Sequence, residues 1–221
     1  MIIREAKLEE IGSIASLEKR VWKKNAAPIK NIASRIKIFP KGNLIAVVDN
    51  EIVGYVSTVI INEKLAGKAK TWYEFTDNGL ARGVYDPGGS ILFGINLTVD
   101  KGYRNKEIGS KLLLQIARMA IENNLKYGML GGRLPYYYKY KNVAVRKYVK
   151  MRDKKGQILD PELRLYRRLG LKIVKVKKNY FKDPESQDYG VILEWRNPFY
   201  SFTKVFPFLA KPLSHLFRIW L

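Results

Sequence analysis

The stretch from Ile91 to Ile121 constrains this chain most. Ile91 to Val99 is an apolar, β-rich run of strand length, Asp100-Lys101-Gly102 has tight-turn chemistry, and Ile108, Leu112, Leu113, Ile116, Ala117, Ala120 and Ile121 then recur at helical spacing. A buried strand turning straight into an amphipathic helix must pack that helix on a sheet, so the chain belongs among α/β proteins. With 47% apolar residues in 221, there is enough hydrophobic material for one domain with an independent core.

The flanking sequence fits that frame. Ile2-Ile3-Arg4 reads as a short strand, and Leu8, Ile11, Ile14, Ala15, Leu17, Val21 and Trp22 as a helix that resumes after a break at Ala27-Pro28 and stops at Pro40-Lys41-Gly42. Leu44 to Val48 and Ile52 to Ile61 surround Asp49-Asn50-Glu51 as an antiparallel hairpin does. Residues 62–90, with Asn78-Gly79 and Asp86-Pro87-Gly88-Gly89, read as a long aromatic hairpin or lid. Lys126 to Leu130 is the next strand, and Gly131-Gly132-Arg133-Leu134-Pro135 reads as a break. A short basic helix is predicted over Val143 to Arg152, and another begins at Asp160-Pro161 and is capped by Gly170. Lys172 to Val176 and Tyr189 to Trp195 close the sheet.

Composition removes several chemistries. The chain has no cysteine and one histidine, His215, which excludes thiolate sites, histidine clusters and histidine-based triads, and no metal site is expected. The net charge of +21 predicts attraction to polyanions: nucleic acid, anionic membrane surfaces or phosphorylated ligands. Equally, it is the lysine-rich surface of a thermophile-like protein. No secretory signal or membrane-length apolar run is present in these residues, so a cytoplasmic location is expected.

The chemistry should begin where strand meets helix, at Leu97-Thr98-Val99 and Arg104-Asn105-Lys106-Glu107-Ile108-Gly109-Ser110. The opening turn of a helix has backbone N–H groups without partners and the positive end of the dipole, and such an end binds phosphate. Gly109 and Ser110 are small enough for close approach, and Arg104 and Lys106 add charge.

The strand, Val99, Arg104-x-x-x-x-Gly109-Ser110 and the following helix resemble the acetyl-CoA motif of the GNAT N-acetyltransferase family, usually Q/R-x-x-G-x-G/A. Glu107 departs from it, standing where the family has its first glycine. The resemblance extends over residues 2–197, through Trp72-Tyr73-Glu74-Phe75-Thr76-Asp77-Asn78-Gly79, Gly131-Gly132-Arg133-Leu134-Pro135, Asp160-Pro161-Glu162-Leu163 and Asp183-Pro184-Glu185-Ser186. These segments are similar to the larger GNAT domains fused to nitrilase-like amidohydrolases, here expected to stand alone.

The resemblance implies a GNAT fold: a mixed, mostly antiparallel central sheet with a splayed strand pair and helices on both faces. It also implies transfer of acetyl from acetyl-CoA to a primary amine of a protein or a small molecule. Backbone groups of Leu97 and Val99 would hold the pantetheine arm, and Tyr166, four residues before Gly170, would protonate the leaving thiolate with a pKa lowered by neighbouring arginines. Glu74 is the candidate base, with Asp77 beside it. Trp72, Tyr73, Arg133, Tyr138 and Tyr140 are candidate acceptor contacts, although the tyrosines equally suit a loop packed on the core.

Residues 198–221 form a separate aromatic and basic tail, broken by Pro198, Pro207 and Pro212. It suits an interfacial amphipathic segment, packing on its own domain, or the contact of a homodimer. Two rival functions follow from charge and tail: a basic nucleic-acid-binding protein, and a membrane or assembly module with a degenerate coenzyme site.

Overall fold

The computed structural model describes residues 1–104 and 106–217. The elements run β1 (Ile2–Glu5), α1 (Ile11–Trp22), α2 (Ile29–Ile38), β2 (Asn43–Val48), β3 (Glu51–Ile61), α3 (Glu63–Lys68), α4 (Trp72–Thr76), β4 (Ile91–Val99) and α5 (Ile108–Glu122). They continue as β5 (Tyr127–Gly132), α6 (Val145–Tyr148), α7 (Pro161–Arg168), β6 (Lys172–Lys177), β7 (Gly190–Arg196), α8 (Tyr200–Val205) and α9 (Ala210–Leu216). The strands form one seven-stranded sheet in the order β1-β2-β3-β4-β5-β7-β6, in which only the β4–β5 pair is parallel.

Alternation along the strands sends side chains to opposite faces, and each face buries its own apolar helix surface. On one face Ile108, Leu112, Ile116 and Ala120 of α5 meet Val56, Ile60 and Leu92. On the other, Ile14 and Leu17 of α1 and Ile32 and Ile36 of α2 cover Ile45 and Tyr55. Helices on both faces are what the order of elements predicts, and the mostly antiparallel sheet is what the family resemblance implies.

Two predicted segments are otherwise. Residues 62–90 form no hairpin. Asn62 Oδ1 accepts from the Leu65 N–H at 2.8 Å and Thr71 Oγ1 from the Glu74 N–H at 3.2 Å, which starts α3 and α4. Phe75 of α4 stacks on Phe93 at 4.6 Å between centroids, so this segment is core packing rather than a lid. Nor do Gly131 and Gly132 break the chain. They continue β5, pairing with Ile192 and Val191, and Tyr180 passes so close that a Cβ on Gly131 would lie 2.3 Å from its ring, so glycine is there for space rather than to end the strand. The predicted Val143–Arg152 helix contracts to α6, with Arg152 instead bridging to Ile158. Among the described residues no helix is long and apolar enough to cross a membrane.

Candidate active site

The sheet opens in its middle. β4 and β5 pair only from Ile91 to Gly94 against Tyr127 to Leu130, after which β5 turns to β7 alone and β4 continues on β3 alone. The cause is one extra residue: Ser57 faces Asn96 and Thr58 faces Gly94, so Ile95 has no partner on β3 and bulges. A bulge bends its strand and adds twist, which carries residues 95–99 away from β5. Trp72 steadies the bend by donating from Nε1 to the Ile95 carbonyl at 3.1 Å.

The freed half of β4 is walled on both faces. Leu97 and Val99 turn toward α5, with Gly109 between them. Asn96 and Thr98 turn toward α1, where both side chains donate to Glu18, a carboxylate 1% exposed. Trp22 Nε1 donates to Thr98 Oγ1 at 2.7 Å. The Thr98 side chain is therefore spent inside the protein, and its backbone faces Tyr55 on β3, which leaves the backbone groups of Leu97 and Val99 on the open edge.

Next to the gap, α5 opens with Glu107 as its first cap residue. Glu107 has φ +58°, the left-handed conformation that glycine adopts without cost, which is the physical reason for a glycine at this motif position. Its carboxylate turns to Lys111 Nζ at 3.4 Å, so its charge is partly compensated. Glu107 makes no side-chain cap, and among the described residues no acceptor reaches the Ile108, Gly109 or Ser110 N–H groups; the Glu107 carbonyl accepts only from Lys111. A Cβ on Gly109 would meet Val99 Cγ2 at 3.6 Å and Leu97 Cδ2 at 3.8 Å, which are ordinary contacts. The protein itself thus has no need of glycine there. Arg104 and Lys106 are exposed beside this turn, and Lys106 lies over the Tyr103 ring at 4.7 Å. Asp100 anchors the turn to α1 through Arg20 at 2.9 Å. Asn105, a predicted contact, lies outside the described residues.

Past the end of β5, Arg133 gathers a cluster that sequence reasoning recognised only in part. Its guanidinium bonds Asp183 (2.9 and 3.0 Å) and Glu185 (2.7 Å), stands 3.7 Å from Glu162, and lies 5.5 Å above the Trp22 ring. It therefore spans the opening, from the β5 side to the α1 side. Burial works against its charge, but the Asp183 hydrogen bond and the Glu162 and Asp183 charges outweigh this and raise its pKa.

Glu162, on the first turn of α7, is the residue that sequence reasoning missed as a site group. Burial pushes its carboxyl up to about 7, with Asp160 adding to the rise and Arg133 offsetting part of it. One turn later Tyr166 packs with Leu134, Val191 and Leu193, its ring 3.6 Å from where a Cβ on Gly132 would stand. The expected lowering of its pKa is overturned. Burial, reinforced by the Glu162 charge, raises it, and Arg133 lowers it by less. Tyr166 is a phenol that keeps its proton.

The remaining predicted residues separate. Tyr73, Glu74 and Asp77 turn outward, lining a groove with Leu65, Lys68 and Val84, while Trp72 from the same helix reaches β4. Glu74 accepts from the Lys70 N–H at 2.8 Å and Asp77 from the Gly83 N–H at 2.8 Å, so both act as local caps and neither joins the Arg133 cluster. Tyr140 packs on Tyr148 at 5.5 Å between centroids, and Tyr138 is on the surface beside Lys139. Packing thus describes Tyr140.

A family model described as the acetyltransferase (GNAT) family matches residues 9–135. The chain is 34% identical over 172 residues to a Bacillus subtilis (strain 168) protein named as an uncharacterized N-acetyltransferase, YkwB, with 76% of this chain and 74% of that protein covered. Among solved structures, the loading GNATL domain of CurA from Lyngbya majuscula superposes with a TM-score of 0.78 at 23% identity, over 89% of this chain and 97% of that one. The GNAT-like decarboxylase GphF, solved in complex with isobutyryl-CoA, gives 0.73 at 24% identity, over 89% of this chain and all of the other.

Proposed function

The chain belongs to the acetyltransferase (GNAT) family and is an acyltransferase, and from that premise we propose that it moves an acetyl group from acetyl-CoA to a primary amine at the β4–β5 opening. The observation that carries this reading is the row of N–H groups at Ile108, Gly109 and Ser110, without acceptors among the described residues, beside a strand that its neighbour has left. A CoA thioester in one fold neighbour agrees with it.

Those N–H groups, the helix dipole, Arg104 and Lys106 would hold the pyrophosphate. Free backbone groups of Leu97 and Val99 would hold the pantetheine arm as a strand partner does. When bound, acetyl-CoA supplies an acyl group already activated as a thioester. Glu162, with a pKa near neutrality, takes the proton of the incoming ammonium at its carboxylate, and Trp22 with Arg133 limits access from the α1 side. The free amine would then attack the thioester carbonyl, the C–S bond would break, and the proton lost by the attacking nitrogen would pass to the departing sulfur, which Tyr166 Oη steadies by a donated hydrogen bond while keeping its own proton, as its raised pKa requires.

Acetyl-CoA should raise the melting temperature, and a saturating concentration that leaves it unmoved would sink the proposal. Tyr166→Phe is expected to lower turnover about tenfold to a hundredfold with that thermal shift retained. Unchanged turnover would remove the hydroxyl from the mechanism. Glu107→Gly relieves the positive φ and removes a charge beside the phosphates. It should gain about 1 kcal/mol of stability or less and tighten acetyl-CoA binding several-fold, measurable by calorimetry; weaker binding would place the pyrophosphate elsewhere.

A further inference from the structure

The segment after β7 is amphipathic in the wrong sense for a surface helix pair. Its small residues face the protein: Thr203, Ala210 and Ser214 are buried, with Thr203 Oγ1 donating to Asn124 Oδ1 at 2.7 Å and Ser214 Oγ to Glu122 Oε1 at 2.7 Å. Its large apolar residues face away, Phe202, Val205, Phe206, Phe208 and Leu216 being 43–74% exposed. Phe206 sits between Phe202 at 5.2 Å and Phe208 at 6.3 Å, so these rings form one cluster. Leu213 and Phe217 are partly covered, Phe217 against Trp195, but folding against α5 has left Phe202, Val205, Phe206, Phe208 and Leu216 outside, and a surface built this way needs something else to cover it.

Charge selects the occupant. No Asp or Glu follows Glu194, and exposed Lys204 and Lys211 flank the rings on a chain of net charge +21. Aromatic side chains interleaved with lysines, in a segment that carries no carboxylate of its own and whose neighbouring Glu122 is engaged by Ser214, complement a surface that is apolar within and negatively charged at its boundary. We propose that residues 199–217 seat this enzyme on an anionic lipid bilayer, with Phe206, Phe208 and Leu216 entering the interface and Lys204 and Lys211 among the headgroups. The Pro207 break helps, since α8 and α9 can each present a short apolar end to one plane.

Co-sedimentation of the full chain with phosphatidylcholine vesicles carrying about one-third phosphatidylserine tests this, and should give binding at least about tenfold tighter than phosphatidylcholine alone, weakening as salt rises. Phe208→Ser with Leu216→Ser should reduce binding about tenfold or more, and Lys204→Glu with Lys211→Glu should remove the preference for phosphatidylserine. Both variants should retain acetyl-CoA binding, which shows that the domain is folded. Absence of vesicle binding would overturn the proposal, as would binding that both variants leave intact. Sedimentation velocity covers the other occupant: self-association that Phe208→Ser with Leu216→Ser disrupts, without vesicle binding, would assign the surface to a second copy.

Discussion

Exchanging Gly109 for Glu is expected to abolish stabilisation by acetyl-CoA while leaving the unliganded protein at least as stable as before. The two effects oppose one another for separate reasons. At Gly109 a Cβ finds only ordinary contacts with Leu97 and Val99, and a side chain at the second position of α5 removes the entropic cost of a helical glycine, roughly 1 kcal/mol. A carboxylate in the first turn also gains about 0.3–1 kcal/mol from the dipole. The same carboxylate would compete for the N–H groups assigned to the pyrophosphate and repel its charge. A like-charge approach near a protein surface costs a few kcal/mol, so binding should weaken by about a hundredfold or more. Melting curves with and without acetyl-CoA read both effects together. A variant still stabilised by acetyl-CoA would show that the phosphates bind away from this turn.

Glu162→Gln should lower kcat/KM by about a hundredfold to ten-thousandfold and remove an acid limb with a pKa near 7 from its pH profile. The wild-type rate should climb as Glu162 loses its proton, and the variant should show only the titration of the acceptor amine. An acid limb near 7 surviving in the variant would transfer the base role elsewhere. Stability gives an independent reading of the same group. Its folded pKa lies above the unfolded value, so between about pH 4.5 and 7 the folded state holds a proton that the unfolded state has released. Stability due to Glu162 is thus full below that window and is lost as pH rises through it. With the side chain about a quarter exposed, the loss is about 2 kcal/mol or less. The Gln variant should lack this slope, which denaturant titrations at several pH values would measure.

Regular periodicity made much of the architecture legible. β3, β4 and α5 each carry an apolar pattern longer than one turn or one hairpin arm, whereas the gap beside β4 was implied only by the family resemblance, since the bulge at Ile95 leaves no mark in the pattern. What the sequence hid is tertiary. The α3 and α4 helices are too short to display a period, so the louder turn residues at 78–79 and 86–89 suggested a hairpin, although Asn62 and Thr71 carried the capping chemistry. Gly131 and Gly132 read as a break because nothing nearby in sequence announces Tyr180 against the first or Leu193 and Val191 against the second. Tyr166 was legible as a position, but its pKa depends on burial among α7, β5 and β7 rather than on neighbouring arginines. Glu162 was visible only as part of a helix start, because Arg133 and Asp183, which share its environment, come from distant segments.

An unpaired β edge normally invites another chain to zip onto it, and proteins guard such edges with charges, prolines or short strands. The freed half of β4 needs none of these guards. Leu97 and Val99 lie against α5, Asn96 and Thr98 against α1, and Trp72 holds the Ile95 carbonyl. A slit of this kind admits a slender flexible ligand and turns away a pleated ribbon, whose side chains would have to pass through helices on both sides. The enzyme can thus keep an adhesive row of backbone groups ready between turnovers without becoming a seed for aggregation.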